Sequence, residues 1–259
     1  MDARIAALCL ALAATPAVAF DHSHAAWAAL LQHVVVLEGG KASRLRYAEV
    51  AKERAGLKRY LESLSAVPRS EFDGWTRGEQ MAFLINAYNA FTVDKILGRY
   101  PGLGSIWDYG KLFGNPFKDE FFSLLGRRAS LDWIEHDTLR KDYRERRVHY
   151  ALNCASLGCP MLREEPYVPA QLEAQLEDQA RRFLSDASRN RYRDGRLELS
   201  KIYDWFKEDF EPREQYFAGY ADLLAADAAG RAAVSAGKAR LTFLEYDWSL
   251  NDFPSSSRR

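Results

Sequence analysis

Apolar positions along the chain fall into runs with helical spacing more often than into strict alternation. The stretch AAWAALLQHVVVL, Ala25 to Leu37, is almost wholly apolar and is closed by Gly39, Gly40 and Lys41, which predicts a buried first helix. Leu57, Tyr60, Leu61 and Leu64 share one face before Pro68 and predict an amphipathic helix. A third helix is predicted from about Arg77 to Leu97, stopped by Gly98 and Pro101. Its middle, FLINAYNAF, is apolar all round except for Asn86 and Asn89. FFSLLG at Phe121 to Gly126 reads as a strand, Ser130 as the cap of a helix LDWIEHDTLR, and RVHYALN as a return to strand character.

Pro169 to Ala187 predicts a second amphipathic helix, through Leu172, Leu176, Ala180 and Phe183. The turn Asp194-Gly195 lies between two short β-like runs and predicts a hairpin. Ser200 can cap a helix KIYDWFKEDF, and RLTFLEYDWSLN supplies a last strand and loop before a flexible tail over 252–259. No repeat or Pro/Ser-rich linker divides the chain. Residues 20–251 therefore read as a single α+β domain, mostly helical, around a small and mainly antiparallel sheet.

Composition narrows the partners. The chain has 259 residues, and its 36 Lys plus Arg balance 36 Asp plus Glu, so no global field draws it to nucleic acid or anionic lipid. The N-terminus MDARIAALCLALAATPAVAF places Arg4 before an apolar run and then Ala17-Val18-Ala19. This is the pattern of a secretory signal peptide over 1–19, too short to span a bilayer, with Cys9 as apolar filler. No later run approaches the roughly twenty apolar residues of a membrane helix. The expected location is periplasmic or secreted, where disulfides persist.

The remaining cysteines stand together in HYALNCASLGCPML, as Cys154 and Cys159. A thiol nucleophile needs a base within hydrogen-bond reach, because the thiolate is the reactive species. If RVHYALNC is a strand, His149 lies on the face opposite Cys154, which makes His136 the better base, with Glu135 or Asp247 to orient it. His149 stays an alternative. Asn86 and Asn89 are either clamps on neighbouring backbone or donors to an oxyanion, a role open also to Ser156 and the Cys154 amide. Lys201 and Tyr203 are candidates to bind a substrate carboxylate, and Trp107, Tyr109, Phe113 and Phe117 to line a cleft. Two cysteines at x4 spacing lack the paired C-x2-C ligands of a zinc site and the C-x-x-C of dithiol redox proteins, so neither metal nor cofactor is expected.

The ordered motifs FLINAYNAF, SLDWIEHDTLR, VHYALNCASLGCP, LELSKIYDWFKEDF and YDWSLN, from roughly Ala48 to Asn251, resemble the domain of unknown function 547 family. The resemblance implies an α+β fold similar to papain and transglutaminase thiol enzymes. It places the family's Glu-His pair on Glu135 and His136, its strand histidine on His149 and its cysteine on Cys154. In plant members the position of Cys159 can be serine, which implies a motif not built for a disulfide. The expected function is an exported thiol hydrolase or acyltransferase acting on a small peptide-like or glutathione-like amide, with Cys154 as nucleophile, His136 as base and Glu135 as orienting acid. The alternative is a non-catalytic periplasmic binding domain with a Cys154–Cys159 disulfide.

Overall fold

The computed structural model describes residues 19–110 and 114–253. Residues 1–18 of the signal segment, Phe113 and the tail beyond residue 253 lie outside the described residues. The helices are α1 (Ala25–Val34), α2 (Tyr47–Lys52), α3 (Arg54–Ala66), α4 (Arg69–Asp73), α5 (Arg77–Leu97), α6 (Val148–Ala151), α7 (Leu172–Leu184), α8 (Ile202–Trp205), α9 (Arg213–Ala218), α10 (Ala221–Leu224) and α11 (Ala228–Ser235). A π-helix runs from Trp133 to Tyr143, and a 3-10 turn from Lys207 to Phe210.

Among the described residues, seven short strands make three separate sheets where one was expected. β1 (Val35–Glu38) pairs with β2 (Ala42–Leu45), and β3 (Phe122–Leu124) with β4 (Arg127–Ala129), both antiparallel. β5 (Arg191–Arg193) is antiparallel to β6 (Arg196–Leu199), which is parallel to β7 (Arg240–Phe243). The α+β class stands, with the sheets peripheral to the helices.

α5 is the axis of the fold. Thr76 Oγ1 accepts from the Glu79 amide while the Glu79 carboxylate accepts from the Thr76 amide, so the helix begins with a reciprocal cap. Its residues from Met81 to Val93 are buried without interruption, which is why FLINAYNAF shows no polar face. One core surrounds it, joined by α1, α3 and the π-helix. A second core gathers Tyr150, Phe183, Tyr203, Phe210 and Phe217 with the hairpin β5-β6 and α9–α11.

Two predicted elements change type. The first helix stops at Val34 and the chain turns into β1, because successive β-branched valines favour extended backbone and Gly39 and Gly40, both at positive φ, close the hairpin to β2. RVHYALN is no strand: Val148 to Ala151 coil into α6, with all four side chains buried. A short run that is apolar on every side carries no period to separate strand from helix. Its parity rule consequently fails, and α6 sends Val148 and Ala151 into the first core, Tyr150 into the second and His149 between them.

Candidate functional site

Where the two cores meet, a cavity of about 420 Å³ is lined by Asp132, Glu135 and His136 from the start of the π-helix, His149 from α6, and both cysteines. Tyr88 of α5 and Leu152 close the floor, while Trp107, Phe117, Trp205, Phe206, Tyr246 and Trp248 wall the mouth. Most of the residues expected to carry chemistry thus share one cavity. The π-helix contributes to this directly, since it and the Asp132 that precedes it bring Asp132, Glu135 and His136 to one cavity.

The cysteine loop is built by asparagines. Asn89 donates to Ala151 O at 2.9 Å and accepts from the Asn153 amide at 2.8 Å, so its amide group is spent on the loop backbone. Asn153 in turn donates to Pro160 O and accepts from the Ala155 amide, which fixes Ala155 at φ 63° immediately after Cys154. A non-glycine residue in that region costs of order 1–3 kcal/mol and persists only where its surroundings enforce it. Asn86 clamps Tyr167 in the same way, donating to its carbonyl and accepting from its amide. Asn86 and Asn89 are buried in α5, bind neighbouring backbone through both the oxygen and the nitrogen of the amide, and do not line the cavity, so both are corrected from oxyanion donors to backbone clamps.

Residues 156–158 run against the segment after β7. Leu157 N donates to Ser249 O, and Gly158 N to Asp247 O, each at 2.8 Å. A Cβ on Gly158 would lie 3.0 Å from Asp247 O and from the Tyr246 ring, so a side chain here would require both to give by a few tenths of an ångström. The close approach seats Tyr246 over the sulfurs. Cys154 and Cys159 are joined in a disulfide; Tyr246 OH lies 3.2 Å from Cys154 Sγ and 3.3 Å from Cys159 Sγ, while Ser156 donates to the Tyr246 oxygen. Burial pushes the Tyr246 phenol well above its ordinary range, so it stays a protonated donor. Ser156 is buried beside Cys154, with its Oγ 3.3 Å from Sγ, and the Cys154 amide donates to Cys159 Sγ.

The two histidines are held differently. His149 Nε2 lies 2.6 Å from Asp209 Oδ2, and since a carboxylate only accepts, that nitrogen carries the proton. Nδ1 is then the basic nitrogen, 3.8 Å from Glu135 Oε1, and Phe206 stacks on the ring at 4.2 Å. His136 Nδ1 faces Arg140 Nη1 at 2.7 Å; a guanidinium only donates, so Nδ1 accepts and the proton sits on Nε2, 3.4 Å from Asp132 Oδ1. His136 thus has a hydrogen-bonding or ionic partner at each nitrogen, whereas His149 Nδ1 has only the Glu135 carboxylate, at 3.8 Å. Arg140 also donates to Asp209 at 2.5 Å. Burial tends to raise the Asp209 carboxyl, but hydrogen bonds from His149 and Arg140 outweigh it and hold the group well below the usual carboxylate range. Glu135 is hydrogen-bonded with the buried Tyr88 phenol and faces His149 in place of the His136 partner expected for it.

Three expected residues fall elsewhere. Lys201 pairs with Asp204 at 2.9 Å and does not line the cavity, and Tyr203 is buried in the second core. Asp247 turns to a different depression, its Oδ1 taken by the Ser249 amide, while its neighbours Tyr246 and Trp248 face the cysteines. Asp209 was not anticipated: it is remote in sequence from His149, and KEDF shows four consecutive side chains of which nothing marks this one. The aromatic wall was half legible through Trp107 and Phe117. Tyr109 instead donates to Lys95 O beneath α5.

Residues 72–184 match the family model described as Protein of unknown function, DUF547. No curated protein matches the chain, and no solved structure matches it either, so the expected likeness to papain-type enzymes has no structural neighbour behind it. The matched segment holds α5, the π-helix, α6 and the cysteine loop, whereas Asp209, Trp205, Tyr246 and Trp248 come from beyond it. That segment, which carries His136, His149, Asp132, Glu135 and both cysteines of the cavity, is similar to the DUF547 family.

Proposed function

We propose that this protein is a thiol-dependent hydrolase or acyltransferase of peptide-like amides, exported as its N-terminal pattern indicates, and that it acts once a dithiol has reduced the Cys154–Cys159 disulfide. The observation that carries the reading is the pair Asp209 and His149, which leaves a basic Nδ1 in the cavity that also contains Cys154. In the reduced protein the Cys154 thiol gives its proton to His149 Nδ1, and the thiolate attacks the amide carbonyl carbon. The C–N bond breaks as the imidazolium proton passes to the leaving amine. Water or a second amine then releases the acyl group from the thioester. Asp209 holds the ring in the required tautomer, and Glu135 stands beside the nitrogen that takes up the proton.

One observation favours a second reading. With the disulfide closed the sulfur is no nucleophile, and the same cavity serves a non-catalytic binding domain. The two are separated by incubating oxidised and dithiothreitol-reduced protein with a library of peptidyl-aminomethylcoumarins and following both fluorophore release and intact mass. Release and an acyl adduct on Cys154 are expected only after reduction, and neither in Cys154→Ser. Reduced protein that forms no adduct and releases nothing supports the binding domain.

A further inference from the structure

The charge and the rings of the cavity select what enters it. Asp132 and Glu135 are its carboxylates, and among the described residues no lysine or arginine lines it. His136 is turned to its own partners, Nδ1 accepting from Arg140 and Nε2 facing Asp132 at 3.4 Å, and Arg140 does not line the cavity and is matched by Asp209. Above these acids, Trp107 meets Trp248 nearly at right angles, 87° with centroids 5.3 Å apart. Trp205 stacks on Trp248 at 5.6 Å, and Phe117 closes the corner edge-on to Trp107 at 5.8 Å. Trp107 and Trp205 are among the few large apolar side chains left exposed, at 38% and 44%. Aromatic faces attract cations through their quadrupole, and carboxylates lining the same cavity add to that attraction.

We propose that the aromatic end of the cavity is a subsite for an organic cation: the ammonium or guanidinium of a basic side chain, or an amino-terminal amine, attached to the acyl compound. The link to an acyl compound rests on the hydrolase reading; the cation subsite itself does not. An anionic, glutathione-like ligand meets two carboxylates here and, among the described residues, no lysine or arginine, so the substrate class narrows to basic peptides and amine-bearing amides.

Binding to the oxidised protein, where no turnover interferes, tests the subsite. Tryptophan fluorescence is titrated with acetyl-Ala-Lys-Ala-amide, with the norleucine analogue that matches it in length without charge, with glutathione, and with a neutral disaccharide. The lysine peptide is expected to bind at least tenfold more tightly than the norleucine peptide, and glutathione more weakly than either. Asp132→Asn and Trp248→Phe, chosen to keep shape and checked by circular dichroism, are each expected to cut that preference severalfold while the norleucine peptide is little affected. Equal affinity for the lysine and norleucine peptides, tighter binding of glutathione or the disaccharide, or a preference untouched by both variants would overturn the proposal. Cation binding without an acyl adduct after reduction sinks the hydrolase reading and leaves this one standing. An adduct without charge preference does the reverse.

Discussion

His149 and His136 line one cavity from two helices, and their surroundings divide them. His149 donates a hydrogen bond to Asp209 and turns its Nδ1 toward Glu135; His136 accepts one from Arg140 and turns its N–H toward Asp132. The role of an imidazole follows from what holds its other nitrogen, more than from its distance along the chain to a cysteine. Arg140 makes the contrast sharper, because it bridges the two, donating to His136 and to Asp209 at once.

The largest expected effect separates the sulfurs. Cys154→Ser is expected to lose amide turnover beyond detection, since a hydroxyl needs a stronger base than this site was built around. Cys159→Ser is expected to keep turnover and to dispense with the reductant, which a rate comparison with and without dithiothreitol reads directly. Equal loss in both would assign the pair to structure.

Next comes the comparison itself. His149→Ala is expected to lower kcat by about 10²–10⁴-fold, the usual share of a general base, and His136→Ala by less than about tenfold. The opposite ranking would return His136 to the role that strand parity gave it. Asp209→Asn is expected to reduce kcat by about 10²-fold or more, since an amide does not hold the tautomer.

Asp209 also makes a stability prediction whose sign is fixed. Its folded-state pKa is depressed, so the pairing with His149 and Arg140 stabilises the fold above the unfolded carboxyl value near 4 and fades as pH falls below it. Urea midpoints of wild type and Asp209→Asn are expected to differ at pH 6 and the gap to start narrowing only below about pH 4, with part of it kept at pH 3; a gap that widens on acidification contradicts the pairing. Smallest is Gly158→Ala. The added methyl presses on Asp247 O and the Tyr246 ring and is expected to cost about 1–3 kcal/mol, several degrees in Tm, while displacing the phenol from the sulfurs.

Much of this was legible in the sequence. The bounds of α5 follow from Thr76, Glu79 and Gly98, and the hairpin β5-β6 from Asp194-Gly195, because caps and turns are local. The chemical types were legible too, and Glu135, His136, His149 and Cys154 do share a cavity. Their division of labour was not. It depends on α6 coiling where a strand was expected, on a π-helix whose turn no residue pattern announces, and on Asp209 arriving from the second core. Asn86 and Asn89 showed only that buried amides need partners; which partners, a loop closing over α5 decides.

The central claim is that His149, held by Asp209, activates Cys154. It is tested most directly by the rate of iodoacetamide alkylation of the reduced Cys159→Ser protein as a function of pH, followed by intact mass. Alkylation is expected to be fast at neutral pH, ahead of an ordinary thiol of pKa about 8.5, to slow on acidification, and to fall to ordinary rates in the His149→Ala background but not in His136→Ala. A Cys154 that reacts like an ordinary thiol in the parent protein, or that loses its advantage with His136 and keeps it without His149, contradicts the claim.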